Sequence, residues 1–253
     1  MEEKKYADRD ELMKYMDSVY LPFAKDDFCH NGLQIEGSKD VSHIVCGVTI
    51  SKRLIEAALE RQAEMIVVHH GLFTFDMPNP PRITGYMKDR LKLILENEIN
   101  LVGYHLSMDA HPEVGHNSLA CKMLGLENVE GCDVGFIGDM PHAQELDVLV
   151  EKVEEIYERR VDVFAFGPKD VNRVAVISGG ASSHWQTPYK LGSDLFITGD
   201  MREENVRKFE EIGLNVINAG HYHTERLGIL KLAAMLHSKF NIPVDFVEVE
   251  TYV

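Results

Sequence analysis

Positive charge is scarce in this chain: 26 lysines and arginines stand against 41 aspartates and glutamates, a formal net charge of −15 over 253 residues. No cluster of Lys and Arg interrupts that excess, so nucleic acid is not an expected partner. Cysteine is scarce as well. The four, Cys29, Cys46, Cys121 and Cys132, form no C-x-x-C pair. The expectation is reduced, mostly buried thiols in a cytoplasmic protein. No apolar run reaches the ~18 residues of a membrane span. The charged opening Met1-Glu2-Glu3-Lys4-Lys5 lacks the apolar region of a secretory signal. No G-x-x-x-x-G-K-[ST] run is present to cradle a nucleotide's phosphates.

What the chain does have is apolar residues in short, punctuated runs, 45% of the total, enough for a sizeable core. His43–Val48, Met65–Val68, Leu101–Tyr104, Val174–Ile177, Leu195–Thr198 and Asn215–Asn218 read as strands, most of them near-continuous apolar runs buried on both faces. Between them lie helix-like segments: Lys52–Gln62 behind a Ser51 cap, Met87–Asn97, a segment near Leu119–Leu124 capped by Asn117 or Ser118, Leu146–Tyr157 and Arg202–Ile212. Asp10 is placed to cap a first helix, and Glu225 to open a late one. The proline-rich stretch from Phe73 to Gly85 reads as an irregular loop. Strand alternating with helix predicts an α/β fold with mainly parallel strands. The expected domains are 1–128 with 215–253, and 129–214.

The halves echo each other. Glu64–His70 aligns with Asp194–Asp200, and Asn100–His105 with Asn215–His221 given one extra residue. In each half an acid follows four residues after the histidine, Asp109 after His105 and Glu225 after His221. This is the pattern of a duplicated strand–helix–strand unit.

His69, His70, His105 and His221 all follow apolar strands, and the carboxyl ends of strands are where an open α/β sheet collects ligands. Imidazole and carboxylate together suit a pair of divalent cations, which can lower the pKa of a water between them. Each residue has a plainer reading. A strand-end histidine can be a hydrogen-bonded surface residue, Asp109 can satisfy a turn, and Glu225 can complement a helix dipole. His111, His116, His142 and His184 lack the strand-end setting and read as surface residues. The Ser178–Ser183 loop can cradle an anion through backbone N–H groups or simply connect strand to helix.

The stretches Asn31–Gly37, Val68-His69-His70-Gly71, His105–Pro112, Ile197-Thr198-Gly199-Asp200 and Gly220-His221-Tyr222-His223-Thr224-Glu225-Arg226 resemble, in order and spacing, the GTP cyclohydrolase I type 2 family, also called Nif-three-like. The resemblance implies two similar, intertwined three-layer α/β/α halves with a metal site in the cleft between them. It implies two divalent ions per subunit (Zn, Fe, Mn, Co or Ni). His69 and His70 would each bind one ion, Asp109 would join one of them and His221 the other, and Glu225 would bridge both. It implies a catalytic part for Glu225 and for His105 beside the site, and a homohexameric ring. Cys29-His30-Asn31 and His223 depart from the commoner pattern, which bears on substrate contacts rather than on the ligands.

The family name implies a hydrolase that opens the imidazole ring of GTP, with a metal-bound hydroxide attacking a nucleotide or other heterocyclic substrate. Arg226, Lys52 and Arg53 are the nearest cationic candidates for a triphosphate. A non-catalytic metal-delivery protein and a hexameric scaffold are the alternatives. Five protein ligands leave coordination positions open on two ions, which favours catalysis or delivery over a closed structural site.

Overall fold

Ile44–Thr49 and Met65–His70 are strands with five of six residues fully covered, as apolar runs shielded on both faces must be. They belong to a computed structural model that describes residues 5–24, 26–74, 81–249 and 251; positions 75–80 of the proline-rich loop lie outside it. Chain contacts divide the molecule into two units, Met1–Met108 with Ile229–Thr251, and Asp109–Gly228.

The first unit carries a five-stranded sheet in the order Val244–Phe246, Ile44–Thr49, Met65–His70, Asn100–Gly103, Gly32–Ile35. The first four run parallel and the last antiparallel. Val45, Ile66, Val68 and Leu101 point to one face, where they meet Leu54, Ile55 and Ala58 of helix Lys52–Glu60 and Leu91 and Ile94 of helix Gly85–Glu96. Ser51 caps the former, its Oγ accepting from the Leu54 N–H at 3.2 Å. The alternate residues Cys46, Val67 and Val102 are equally buried, so both faces of the sheet are covered.

The second unit is a six-stranded sheet, Glu127–Cys132, Gly135–Glu145, Asp170–Val176, Leu195–Thr198, Asn215–Asn218, Asp162–Phe164. The period-2 alternation of side chains splits its core in two. Val174, Val176, Leu195, Ile197 and Ile217 pack with helices His116–Leu124 and Leu146–Tyr157 on one face. Ala175, Phe196 and Val216 pack with Phe209 of helix Glu203–Ile212 on the other. The unit is thus a helix–sheet–helix sandwich, and the α/β class expected from the sequence is the one observed, but three of the five pairings in this sheet are antiparallel where mainly parallel strands were expected.

The duplication is written in polar groups as well as strands. Glu64 accepts the N–H groups of Ser42 and His43 at 2.9 and 3.1 Å, and its counterpart Asp194 accepts those of Asn172 and Arg173 at 2.8 and 3.0 Å. Asn100 takes the Gly37 N–H at 2.8 Å and gives to Ser38 O at 2.7 Å. Asn215 does the same with Gly167 and Pro168, at 2.8 and 2.7 Å. Met65 lies opposite Asn100 and Leu195 opposite Asn215, both in parallel ladders. Four equivalent side chains therefore fix the same register twice.

Several local expectations shift. The first helix, Arg9–Tyr20, is capped by Asp8, whose carboxylate accepts from the N–H groups of Asp10 and Glu11. Gly115 holds the cap position of His116–Leu124, and Asn117 and Ser118 are buried within its first turn. Glu225 ends the turn His221–Thr224 and stands before the long helix Leu227–Phe240. No helix among the described residues is long and apolar enough to cross a membrane.

Candidate metal centre

In the first unit, the parallel ladder carries Met65–His70 and Asn100–Gly103 to the same sheet edge. His69, His70 and His105 leave the pleat together there. Their ring centroids lie 4.6 Å (His69–His70), 4.9 Å (His69–His105) and 5.5 Å (His70–His105) apart, and one ring nitrogen of each is within 4.8 Å of the others. His69 and His105 are buried and His70 is half-buried.

Hydrogen bonds set how these rings face. His69 Nδ1 lies 2.9 Å from the Tyr104 carbonyl oxygen. A carbonyl only accepts, so Nδ1 carries the proton and the lone pair of the neutral ring is on Nε2. His105 Nδ1 lies 2.8 Å from Asp27 Oδ1, which fixes the same tautomer. His70 Nδ1 is 2.9 Å from Thr49 Oγ1. In all three, Nδ1 is engaged with the protein scaffold, the arrangement by which proteins orient metal-binding imidazoles.

Asp27 is the anchor of this edge. It also accepts the Cys29 N–H at 2.9 Å, the Asn31 side-chain amide at 2.9 Å and the Leu106 N–H at 2.9 Å. Asn31 in turn accepts from the N–H of His105 and the hydroxyl of Ser107, at 2.8 and 2.9 Å. Burial pushes the Asp27 carboxyl up. The hydrogen bonds from His105, Asn31 and the Cys29 N–H, with the attraction of the His105 ring, outweigh it and hold the group down at about 2. A folded-state value below the ordinary 3.8 means stability that is present above that value and lost as the pH falls toward 2. Asp27→Asn is expected to remove about 2 kcal/mol at neutral pH and to flatten the acid limb of a pH series of denaturant melts on metal-free protein. An unchanged acid limb would show that Asp27 does not hold this edge.

In the second unit, Asp109 is buried and accepts from the Ser178 hydroxyl at 2.6 Å. Asn117 ties the same two segments, giving to Asp109 O at 3.2 Å and accepting from the Ser178 N–H at 2.8 Å. His221 lies between two acids. Its Nδ1 is 3.0 Å from Asp200 Oδ2 and its Nε2 is 3.2 Å from Glu225 Oε1. Burial lowers the His221 pKa, but the hydrogen bonds and charges of Glu225 and Asp200 outweigh it and raise it to about 9. At neutral pH a proton thus sits between the Nε2 of His221 and a buried carboxylate. Those two electron pairs face each other across a gap that a proton now bridges, and they are the donor types a divalent cation takes.

The glycines of the Ser178–Ser183 loop make that approach feasible. A Cβ on Gly179 would fall inside the contact distance of Glu225 Oε1, and one on Gly180 would lie 3.2 Å from Asp200 Oδ2. Three of the loop's six N–H groups are engaged within the protein: Ser178 on Asn117, Gly179 on the Thr224 hydroxyl at 3.0 Å, Ala181 on Gly179 O at 3.0 Å. The loop follows strand Asp170–Val176, and Ser178 adds a hydrogen bond to Asp109.

Two histidines read as surface residues are buried. His111 accepts the N–H groups of Glu113 and Val114. His116 is wholly covered because Gly115 ends the loop and turns the next residue inward. Its Nδ1 accepts the Gly228 N–H at 3.0 Å, so in the neutral ring Nε2 bears the proton, the reverse of His69. A ring nitrogen of His116 lies within 4.8 Å of an Asp109 oxygen, where it is suited to donate rather than to ligate. His142 and His184 are exposed as expected. His223 gives a structural contact, Nδ1 to Tyr157 O at 3.1 Å. The roles of Asp27, Asn117 and His116 were missed from sequence, and only long-range packing reveals them. Asp200 had a signal: the repeat alignment sets it opposite His70.

All four cysteines are buried, and burial raises the thiols of Cys46 and Cys121 to about 12. Cys29 lies within 4.8 Å of donor atoms of Asp27 and His105.

Known proteins share this architecture. Residues 7–252 match the model of the Duf34/NIF3 (NGG1p interacting factor 3) family. A Haemophilus influenzae protein named "GTP cyclohydrolase 1 type 2 homolog" is 34% identical over 231 residues, 89% of this chain and 91% of the relative. The crystal structure of a Thermus thermophilus protein, TTHA1606, superposes with a TM-score of 0.89 at 33% identity, covering 98% of this chain and all of that one. A protein called ybgI, described as of unknown function, superposes with a TM-score of 0.91 at 34% identity over 98% of this chain and all of its own. With the family model spanning nearly the whole chain and relatives above 30% identity along most of it, this chain belongs to the Duf34/NIF3 family.

Proposed function

We propose that this chain is a dinuclear divalent-metal protein whose ligands are His69, His70, Asp109, His221 and Glu225, and that it works as a metal-dependent hydrolase on a nucleotide or other heterocycle. The observation that carries this is the orientation of the imidazoles: His69 and His221 each engage Nδ1 with an acceptor, which leaves Nε2 as the lone-pair nitrogen of the neutral ring, and that of His221 faces Glu225. That is the donor set of a site built for cations, and it accepts Zn, Fe, Mn, Co or Ni. When bound, the ion pair would supply Lewis acidity and lower the pKa of water.

The residues supply the rest. Glu225, buried beside His221, would serve both ions. His105, with Nδ1 tied to Asp27, keeps Nε2 for accepting or returning a proton. Arg226 is engaged by Glu158 at 3.1 Å, and the N–H groups of Ser178, Gly179 and Ala181 are spent within the protein. With these groups engaged by the protein, we read selection as directed at the heterocyclic ring rather than at a triphosphate. The family resemblance adds a homohexamer to this proposal.

The test is turnover by metal-reconstituted protein of GTP, guanosine and a panel of heterocycles, beside Glu225→Gln. The expected result is ring hydrolysis that depends on metal, weakens little when phosphates are removed, and is lost in the variant. Absence of turnover across the panel by protein carrying two ions would defeat the hydrolase reading.

A further inference from the structure

The second repeat places an acid where the first has a histidine: Asp200 aligns with His70. Asp200 does not turn away from its neighbours. Its Oδ2 takes the Nδ1–H of His221 at 3.0 Å. The approach depends on bare backbone. A Cβ on Gly199 would come within 2.8 Å of both Gly179 O and the Cα of His221, and one on Gly180 within 3.2 Å of Asp200 Oδ2. The glycine at 199 lets the strand end Thr198-Gly199-Asp200 lie against His221, and the one at 180 leaves room for the carboxylate.

His105 and His221 are equivalent histidines of the two repeats, and each gives Nδ1–H to an aspartate. The two aspartates come from unrelated places: Asp27 from the loop before Gly32–Ile35, and Asp200 from the strand end that matches His70. The same carboxylate–imidazole pairing has thus been reached from two different segments. Stability does not account for the second pair. The Asp200 and His221 side chains are 47% and 32% exposed, and an ion pair so open to water adds little to folding.

We propose that Asp200 is a positioning residue, which fixes the Nε2-ligand tautomer of His221 and strengthens it as a donor to one of the two ions. The assignment rests on the metal-site reading above. The pairing of carboxylate, imidazole and metal is the arrangement in which loss of the outer partner typically weakens metal binding ~10–100-fold.

The test is a competitive titration of Zn²⁺ against a chromophoric chelator with wild type, Asp200→Ala and Asp200→Asn, beside thermal melts of the metal-free proteins. The expected result is two ions bound by wild type, and one of the two weakened ~10–100-fold in Asp200→Ala. Asp200→Asn, which keeps an acceptor for Nδ1–H but not the charge, should lie between, with metal-free melting temperatures close to wild type. Wild-type affinity at both sites in Asp200→Ala would overturn the assignment while leaving the metal site standing. A metal-free melt that falls in step with affinity would make Asp200 a structural residue and overturn it too. Failure of wild type to bind any Zn²⁺ would instead bring down the metal reading, and this assignment with it.

Discussion

Glu225→Gln is expected to leave a folded protein that no longer holds its pair of cations. Glu225 is buried and sits 3.2 Å from His221 Nε2. In the metal-free protein, Gln keeps an oxygen able to accept from that nitrogen, so the change should cost the fold only about 1–2 kcal/mol. A divalent ion meets a different situation. The amide brings no charge, and its nitrogen has no lone pair to give. Since removing even an outer partner of a metal ligand costs ~10–100-fold, losing the carboxylate that serves both ions should exceed ~100-fold. Metal analysis after dialysis against a weak chelator measures it directly. Full retention of both ions by the variant would remove Glu225 from the ligand set.

The second large effect belongs to a residue with no side chain. Gly179 has φ of +65°, a left-handed conformation that costs an L-residue ~1 kcal/mol or more. A Cβ there would also collide with Glu225 Oε1 and lie 3.2 Å from His221 Nε2. Both groups are buried or half-buried, so relief requires moving the carboxylate off its line to His221. Gly179→Ala is expected to destabilise the metal-free protein by about 2–4 kcal/mol, and to weaken metal binding as strongly as Glu225→Gln. Denaturant melts and the metal titration check the two parts separately. An alanine variant with parental stability and affinity would mean that the loop does not constrain Glu225.

The parts of the fold legible in the sequence were those where one physical signal dominated. Runs such as Met65–Val68 and Leu195–Thr198 cannot be solvated, so they become sheet interior, and turn residues bound them. The repeat was visible because Glu64/Asp194 and Asn100/Asn215 make the same backbone contacts and so keep their chemistry. Glu127–Cys132 escaped notice because five of its six residues are exposed and no apolar alternation marks it. Caps moved by a residue or two, since Asp8 and Asp10 are chemically equal candidates and only backbone geometry chooses between them.

The candidate site divides along the same line. Strand-end histidines announce themselves by position, and the family resemblance named the rest of the ligand set. The orienting groups did not announce themselves. Asp27 reaches His105 across 78 positions and Ser178 reaches Asp109 across 69, and no local pattern records such pairings. His116 reads as a surface residue in the sequence, yet the Gly228 N–H accounts for its Nδ1. Its burial follows from how the Gly115 turn packs, which periodicity does not encode.

The number of cations held by one chain decides whether a dinuclear centre exists. The most direct measurement is the metal content of the wild-type protein, by elemental analysis, after loading with Zn²⁺ or Mn²⁺ and exhaustive dialysis. Two ions per chain is the predicted result. One ion or none, in protein shown to be folded, would contradict it.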